Sequence, residues 1–207
     1  VQEARGSKAD DKQASTAPLV SKATPVPMPA DEVACRARLK AANVSFKEHE
    51  PLSDPLGCSS PYPISLDDLG LDIALEPAAV LNCHMAEAAV TYTRDVIAPL
   101  AAAEFETRLK GIRQASAYVC RPRNGTTKLS EHAFGNALDI AAFILEDGAE
   151  IPVEATRERE RSEFLSRVRS KACGPFKTVL GPGSDADHAT HFHLDLAQRR
   201  RGGTFCQ

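Results

Sequence analysis

Six cysteines, Cys35, Cys58, Cys83, Cys120, Cys173 and Cys206, are scattered along this chain of 207 residues. None forms a C-x-x-C pair, so neither a cysteine-ligated zinc site nor a thioredoxin-like motif is indicated. An even number of dispersed cysteines reads instead as three disulfides formed in an oxidising compartment. The competing reading is a cytosolic chain with buried free thiols. Spacing alone leaves the pairing open; joining nearest neighbours gives Cys35–Cys58, Cys83–Cys120 and Cys173–Cys206 as the working expectation. The sequence opens on Val1 rather than Met, which fits an export signal or membrane anchor removed before the numbered chain.

The length suits one domain with trimmings, and a hydrophobic fraction of 43% supplies one ordinary core. A net charge of −3 suggests neither a nucleic-acid partner nor a polybasic membrane patch. No apolar run reaches the roughly 18 residues that span a bilayer. Residues 1–30, rich in Ala, Ser, Lys, Pro and Asp, read as a flexible tether, because they offer too little apolar surface to offset ordering. Residues 31–207 form the folded domain.

Asp31 is placed to cap a first helix carrying Val33, Cys35 and Leu39. Val44-Ser45-Phe46 reads as a short strand, followed by a Pro/Gly/Ser-rich loop through Pro63. The alanine-rich stretch from Pro77 to Leu109 predicts helix, broken or kinked at Pro99. Strands are expected over 112–120, 137–145, 178–180 and 191–196. A charged amphipathic helix is expected over 154–172, with Phe164, Leu165 and Val168 as its apolar stripe. The class is α+β, a small antiparallel sheet flanked by helices.

Four of the six histidines fall in two short segments, and His49 and His84 outside them read as ordinary surface residues. The first segment is Ser130-Glu131-His132-Ala133-Phe134-Gly135-Asn136-Ala137-Leu138-Asp139; the second runs from Asp187 through His188, His191, Phe192 and His193 to Asp195. Histidine and aspartate clustered without cysteine suggest a metal site with nitrogen and oxygen ligands. On a strand, alternate residues share a face, so His191, His193 and Asp195 point together while Phe192 and Leu194 enter the core. Asp139 shares a face with the small Ala137 and Ala141, and Gly135-Asn136 suits the turn that returns His132 toward Asp139. The bland readings are an adventitious histidine-rich turn and an aspartate serving only as a cap or an ion-pair partner.

These segments resemble the zinc motifs of the LAS metallopeptidases, a group that includes D-Ala-D-Ala carboxypeptidases, the penicillin-insensitive murein endopeptidase and the hedgehog signalling domain. Over most of residues 31–207 the chain is similar to the bacterial extensin-like C-terminal domain family. The matching positions are Tyr118, Cys120, Arg121, Leu129 to Asp139 and His191 to Asp195. The resemblance implies a LAS/hedgehog-like fold with His132, Asp139 and His193 as ligands of Zn2+. It implies His191 as the active-site residue beside the metal and His188 as an additional active-site histidine. Arg121 matches the substrate-binding arginine, with Arg123 close enough to compete.

A three-ligand zinc site is the catalytic kind, with one position left for water or substrate. The function implied is a zinc peptidase of the cell envelope that cuts D-Ala–diaminopimelate cross-links in peptidoglycan. A D,D-carboxypeptidase or an L,D-endopeptidase would use nearly the same residues. A non-catalytic zinc domain that binds wall is the alternative from another class.

Overall fold

The computed structural model describes residues 27–199 and 202–207, so the expected tether over residues 1–30 lies almost wholly outside the described residues. The fold is mixed, with one main sheet and four α-helices. Helix α1 covers Ala30–Ala41 and is followed by the short strands β1 (Lys47–Glu48), β2 (Leu52–Ser53) and β3 (Ser59–Ser60). Strands β4 (Ile64–Asp68) and β5 (Ala74–Leu81) lead into α2 (Cys83–Tyr92), and α3 (Ala98–Phe105) precedes β6 (Leu109–Ser116). Then come β7 (Ala137–Leu145), β8 (Glu150–Pro152), α4 (Arg159–Ala172), β9 (Thr178–Leu180), β10 (Phe192–Asp195) and β11 (Phe205–Cys206).

Nine strands form the main sheet in the order β1-β4-β5-β6-β7-β10-β9-β11, with β8 also paired to β7; β2 and β3 make a separate hairpin. The sheet is therefore larger than expected, and it is not purely antiparallel. β5 runs parallel to β6, and β11 parallel to β9. β7 is its most buried strand, with Leu138, Ile140, Phe143 and Leu145 all in the core. Helix α4 lays Phe164, Leu165, Val168 and Ala172 onto that core, a helical stripe one residue in three or four. Phe164 meets Phe143 edge to face at 5.1 Å.

Several local expectations are corrected. The first helix starts at Ala30 after Pro29, and Asp31 sits in the first turn with Glu32, where negative charge favours the helix dipole. Cys35 and Leu39 are buried as expected, whereas Val33 faces solvent. Val44-Ser45-Phe46 is not a strand. The Val44 N–H closes the helix end on Leu39 O, and the Ser45 N–H donates to the Asp68 carboxylate, so neither is free for a ladder. The loop through Pro63 contains the β2–β3 hairpin.

The stretch expected to be helical from Pro77 begins instead as a strand. Ala79 and Leu81 alternate into the core, and the helix starts only where the Asn82 side chain accepts the Met85 N–H at 2.8 Å. Pro99 does not stop the helix, because a π-helical turn over Thr93–Ile97 precedes it. The wider turn accommodates a ring that would otherwise strike the carbonyl four residues back. The strand expected at 112–120 runs from Leu109 to Ser116, and the helix expected from Glu154 begins at Arg159.

Three disulfides are present, and no cysteine is free. Cys173–Cys206 pairs as expected, but the other two are Cys35–Cys83 and Cys58–Cys120. Nearest-neighbour pairing fails because α1 packs on α2, bringing Cys35 to the first residue of α2 rather than to the hairpin. Cys58 instead staples that hairpin to the segment after β6. Three bridges are the pattern common in chains that fold in an oxidising environment. No helix among the described residues is long and apolar enough to cross a membrane.

Candidate metal centre

His132 lies on a single 3-10 turn, Glu131–Phe134, that joins the segment after β6 to β7. The Ser130 hydroxyl accepts the His132 N–H at the start of this turn, and Gly135 closes it in the left-handed region at φ 61°. Gly135 also has no room for a side chain, since a Cβ there would come within 2.8 Å of the Asn82 backbone nitrogen. The turn is thereby pinned against the end of β5, where Asn82 N–H donates to Gly135 O at 2.8 Å. Four residues after this glycine, Asp139 projects from β7 directly opposite His193 of β10 in the antiparallel register. Facing positions on adjacent strands put side chains within reach of one another.

The three side chains converge. His132 Nε2 is 3.2 Å from Asp139 Oδ2, and His193 Nδ1 is 2.8 Å from Asp139 Oδ1 and 3.2 Å from His132 Nε2. Side-chain exposure is 1% for His132, 5% for Asp139 and 12% for His193. Each imidazole has a partner behind it. His132 Nδ1 donates to Ala117 O at 2.6 Å, and His193 Nε2 donates to Asp195 Oδ2 at 3.1 Å. With those outer nitrogens carrying the protons, the neutral rings turn two bare nitrogens and a carboxylate toward one point. Three acceptors cannot sit at such distances in a buried place without a positive charge between them.

A divalent cation suits this donor set, with two imidazole nitrogens and one carboxylate oxygen within 4.8 Å of one another. Two further groups of potential ligands, around Cys35 and around Cys58 and Cys120, each depend on disulfide-bonded cysteines. A cysteine so bonded has no thiolate to offer. Without a metal, a proton must supply the charge. Burial pushes the His193 ring down, but Asp139 and Asp195 outweigh it and raise its pKa to about 9. Burial pushes the Asp139 carboxyl up, yet the hydrogen bonds from His132 and His193 hold it well below the usual carboxylate range.

Around this cluster lies a cleft of about 290 Å³, lined also by Arg121, Arg123, His188 and His191. His191 is partly buried, with Nε2 3.7 Å from Asp139 Oδ2. Desolvation lowers its pKa below that of an ordinary imidazole, and Asp139 offsets this only in part. His188 is held by Asp185, whose carboxylate accepts both the ring Nδ1–H at 2.6 Å and the backbone N–H at 3.0 Å. Its ring stands 5.2 Å from that of His191. Arg123 is engaged with Glu131 at 3.3 Å, whereas Arg121 has no carboxylate partner among the described residues. Of the two arginines, Arg121 is the one free to receive an anion.

All six site residues singled out from the sequence thus line one cleft. His84 lies elsewhere, 3.7 Å from Asp31, and His49 bonds Ser65 at 2.8 Å. Sequence reasoning missed Asp185 and Thr178. Asp185 carries a detectable signal, because an Asp three residues before a His can accept both its N–H and its ring proton. Thr178 carries none, since its place in the site comes from strand register alone.

Comparison with known proteins places the chain by its family. The model of the family described as "Extensin-like protein C-terminus" matches residues 33–207. No curated protein and no solved structure matches.

Proposed function

The chain belongs to the extensin-like protein C-terminus family, and from that membership and the geometry of the cleft we propose that it is a zinc-dependent peptidoglycan hydrolase of the bacterial cell envelope. The observation that carries the proposal is the convergence of His132 Nε2, Asp139 and His193 Nδ1 on one point, with both outer ring nitrogens already engaged. The likeness of the two segments to LAS metallopeptidase motifs supports zinc as the metal and peptide hydrolysis as the reaction. Three oxidised cysteine pairs fit an exported protein.

When bound, zinc supplies Lewis acidity, lowering the pKa of a water toward neutrality and polarising a carbonyl. The remaining work falls to the chain. His191, partly buried beside Asp139, is placed to accept a proton and return it to the departing amine. His188, whose Nδ1 proton is held by Asp185, keeps its other ring nitrogen as an acceptor and offers a second base in the same cleft. Arg121 holds a substrate carboxylate, a pairing that favours the planar guanidinium.

The substrate proposed is the D-Ala–diaminopimelate cross-link, which offers a peptide bond with a carboxylate nearby. The test is digestion of purified sacculi, followed by mass analysis of the muropeptides. Cross-linked dimers should fall to monomers, and a zinc chelator should stop this while penicillin does not, since no serine acyl-enzyme forms. Release of terminal D-Ala with dimers intact would assign a carboxypeptidase instead. Unchanged sacculi in the presence of zinc would overturn the hydrolase reading.

A further inference from the structure

Behind His193 lies a hydrogen-bonded chain that the proposed reaction does not use directly. Asp195 follows His193 by two on β10, so both side chains leave the same face of the strand. Asp195 is 2% exposed, and its carboxylate accepts from His193 Nε2 at 3.1 Å and from the Ala197 N–H at 3.0 Å. Directly opposite it in the register of β9 and β10 stands Thr178, whose hydroxyl-bearing side chain lines the same cleft. That hydroxyl has one proton to give and lone pairs to spare, and Arg199 Nη2 donates to it at 2.6 Å. Arg199 in turn lies over the Phe205 ring at 5.2 Å, and the next residue, Cys206, is bonded to Cys173.

We infer that Asp195, held by the Ala197 N–H and backed by Thr178 and Arg199, is the positioning residue that fixes which nitrogen His193 offers to the metal. The inference rests on the zinc reading above. A histidine on a strand can present either ring nitrogen, and its outer hydrogen bond selects between them. Here Asp195 accepts the hydrogen bond from Nε2–H and leaves Nδ1 facing His132 and Asp139. The Ala197 N–H holds one carboxylate oxygen of Asp195, which keeps the other turned toward His193. The segment after β10 therefore acts on the metal centre without touching it. Arg199 aims the Thr178 hydroxyl, and β11, clamped by the Cys173–Cys206 bridge, holds the ring on which Arg199 rests.

The test measures zinc affinity of the full chain by competition with a chromophoric chelator, together with the visible spectrum of the cobalt-loaded protein. Asp195→Asn keeps the shape and loses the charge; Thr178→Val keeps the shape and loses the hydroxyl; Thr178→Ser restores it. Loss of an outer partner of a metal-ligating histidine weakens binding by about 10- to 100-fold. Asp195→Asn should reach that range, Thr178→Val should fall near its lower end with an altered cobalt spectrum, and Thr178→Ser should return to the parent value. If Asp195→Asn does not fold, the Thr178 pair decides alone. Folded Thr178→Val with parental zinc affinity and cobalt spectrum would overturn the positioning role, even if its melting temperature falls. A parent chain that binds no zinc would instead overturn the zinc reading and remove this inference with it.

Discussion

The floor and the rim of the cleft are built by different means. On the floor, His132, Asp139 and His193 come from elements fixed by the sheet, and each histidine is oriented by a second buried partner. On the rim, Arg121, His188 and His191 stand on segments outside the regular strands and helices. Those segments are held by side-chain pairs, such as Asp185 with His188 and Asn124 with Asp187 at 2.9 Å. The difference assigns tasks. A metal needs ligands preset to a fraction of an ångström, which packed secondary structure provides. Substrate recognition can be carried by rim residues that change without disturbing the core.

The sharpest break between floor and rim is metal content. His132→Ala and His193→Ala should each strip the protein of zinc and of all activity, read by elemental analysis after gel filtration. The next largest effect belongs to His191→Ala, which should keep its zinc and lose roughly two to four orders of magnitude in turnover, the usual loss for a positioned acid–base group. If that variant loses its zinc, His191 belongs to the floor and the division of tasks is wrong. If it keeps both zinc and rate, the proton travels through His188.

Rim substitutions should act mainly on binding. Arg121→Ala should raise KM for cross-linked muropeptides by about tenfold with little change in kcat, because a carboxylate contact made equally in ground and transition states appears only in KM. Arg123→Ala should do less, since its guanidinium is already committed to Glu131. Equal effects of the two would remove the distinction drawn between them. The smallest effect is expected at Asn124→Ala. It cuts one exposed hydrogen bond to Asp187, worth about 1 kcal/mol or less, so kcat/KM should fall by about fivefold at most.

Legibility in the sequence followed the same division. β7 could be read residue for residue, because Gly135-Asn136 marks its start and large apolar residues fill it. The alternation in His191-Phe192-His193-Leu194 likewise placed the apolar pair inside and the histidines outward, as the structure has it. β5 could not be read. Alanine gives no periodic contrast between strand and helix, and the helix start lay hidden in a single asparagine, Asn82. Two disulfide partners were out of reach for a topological reason, since they depend on which helices and loops meet rather than on spacing. Asp195 could be placed on the correct face, but its bond to His193 depends on rotamers, and the position of Thr178 opposite it depends on the pairing of β9 with β10.

The measurement that bears most directly on the account is anomalous diffraction at the zinc edge from crystals of the zinc-treated protein. The account predicts one strong peak in the cleft, within ligand distance (about 2.0–2.2 Å) of His132 Nε2, an Asp139 carboxylate oxygen and His193 Nδ1. Asp195 should still be bonded to His193 Nε2, and His191 should lie outside the first coordination shell. No peak at this point, or a peak ligated by His191 in place of His193, would contradict it.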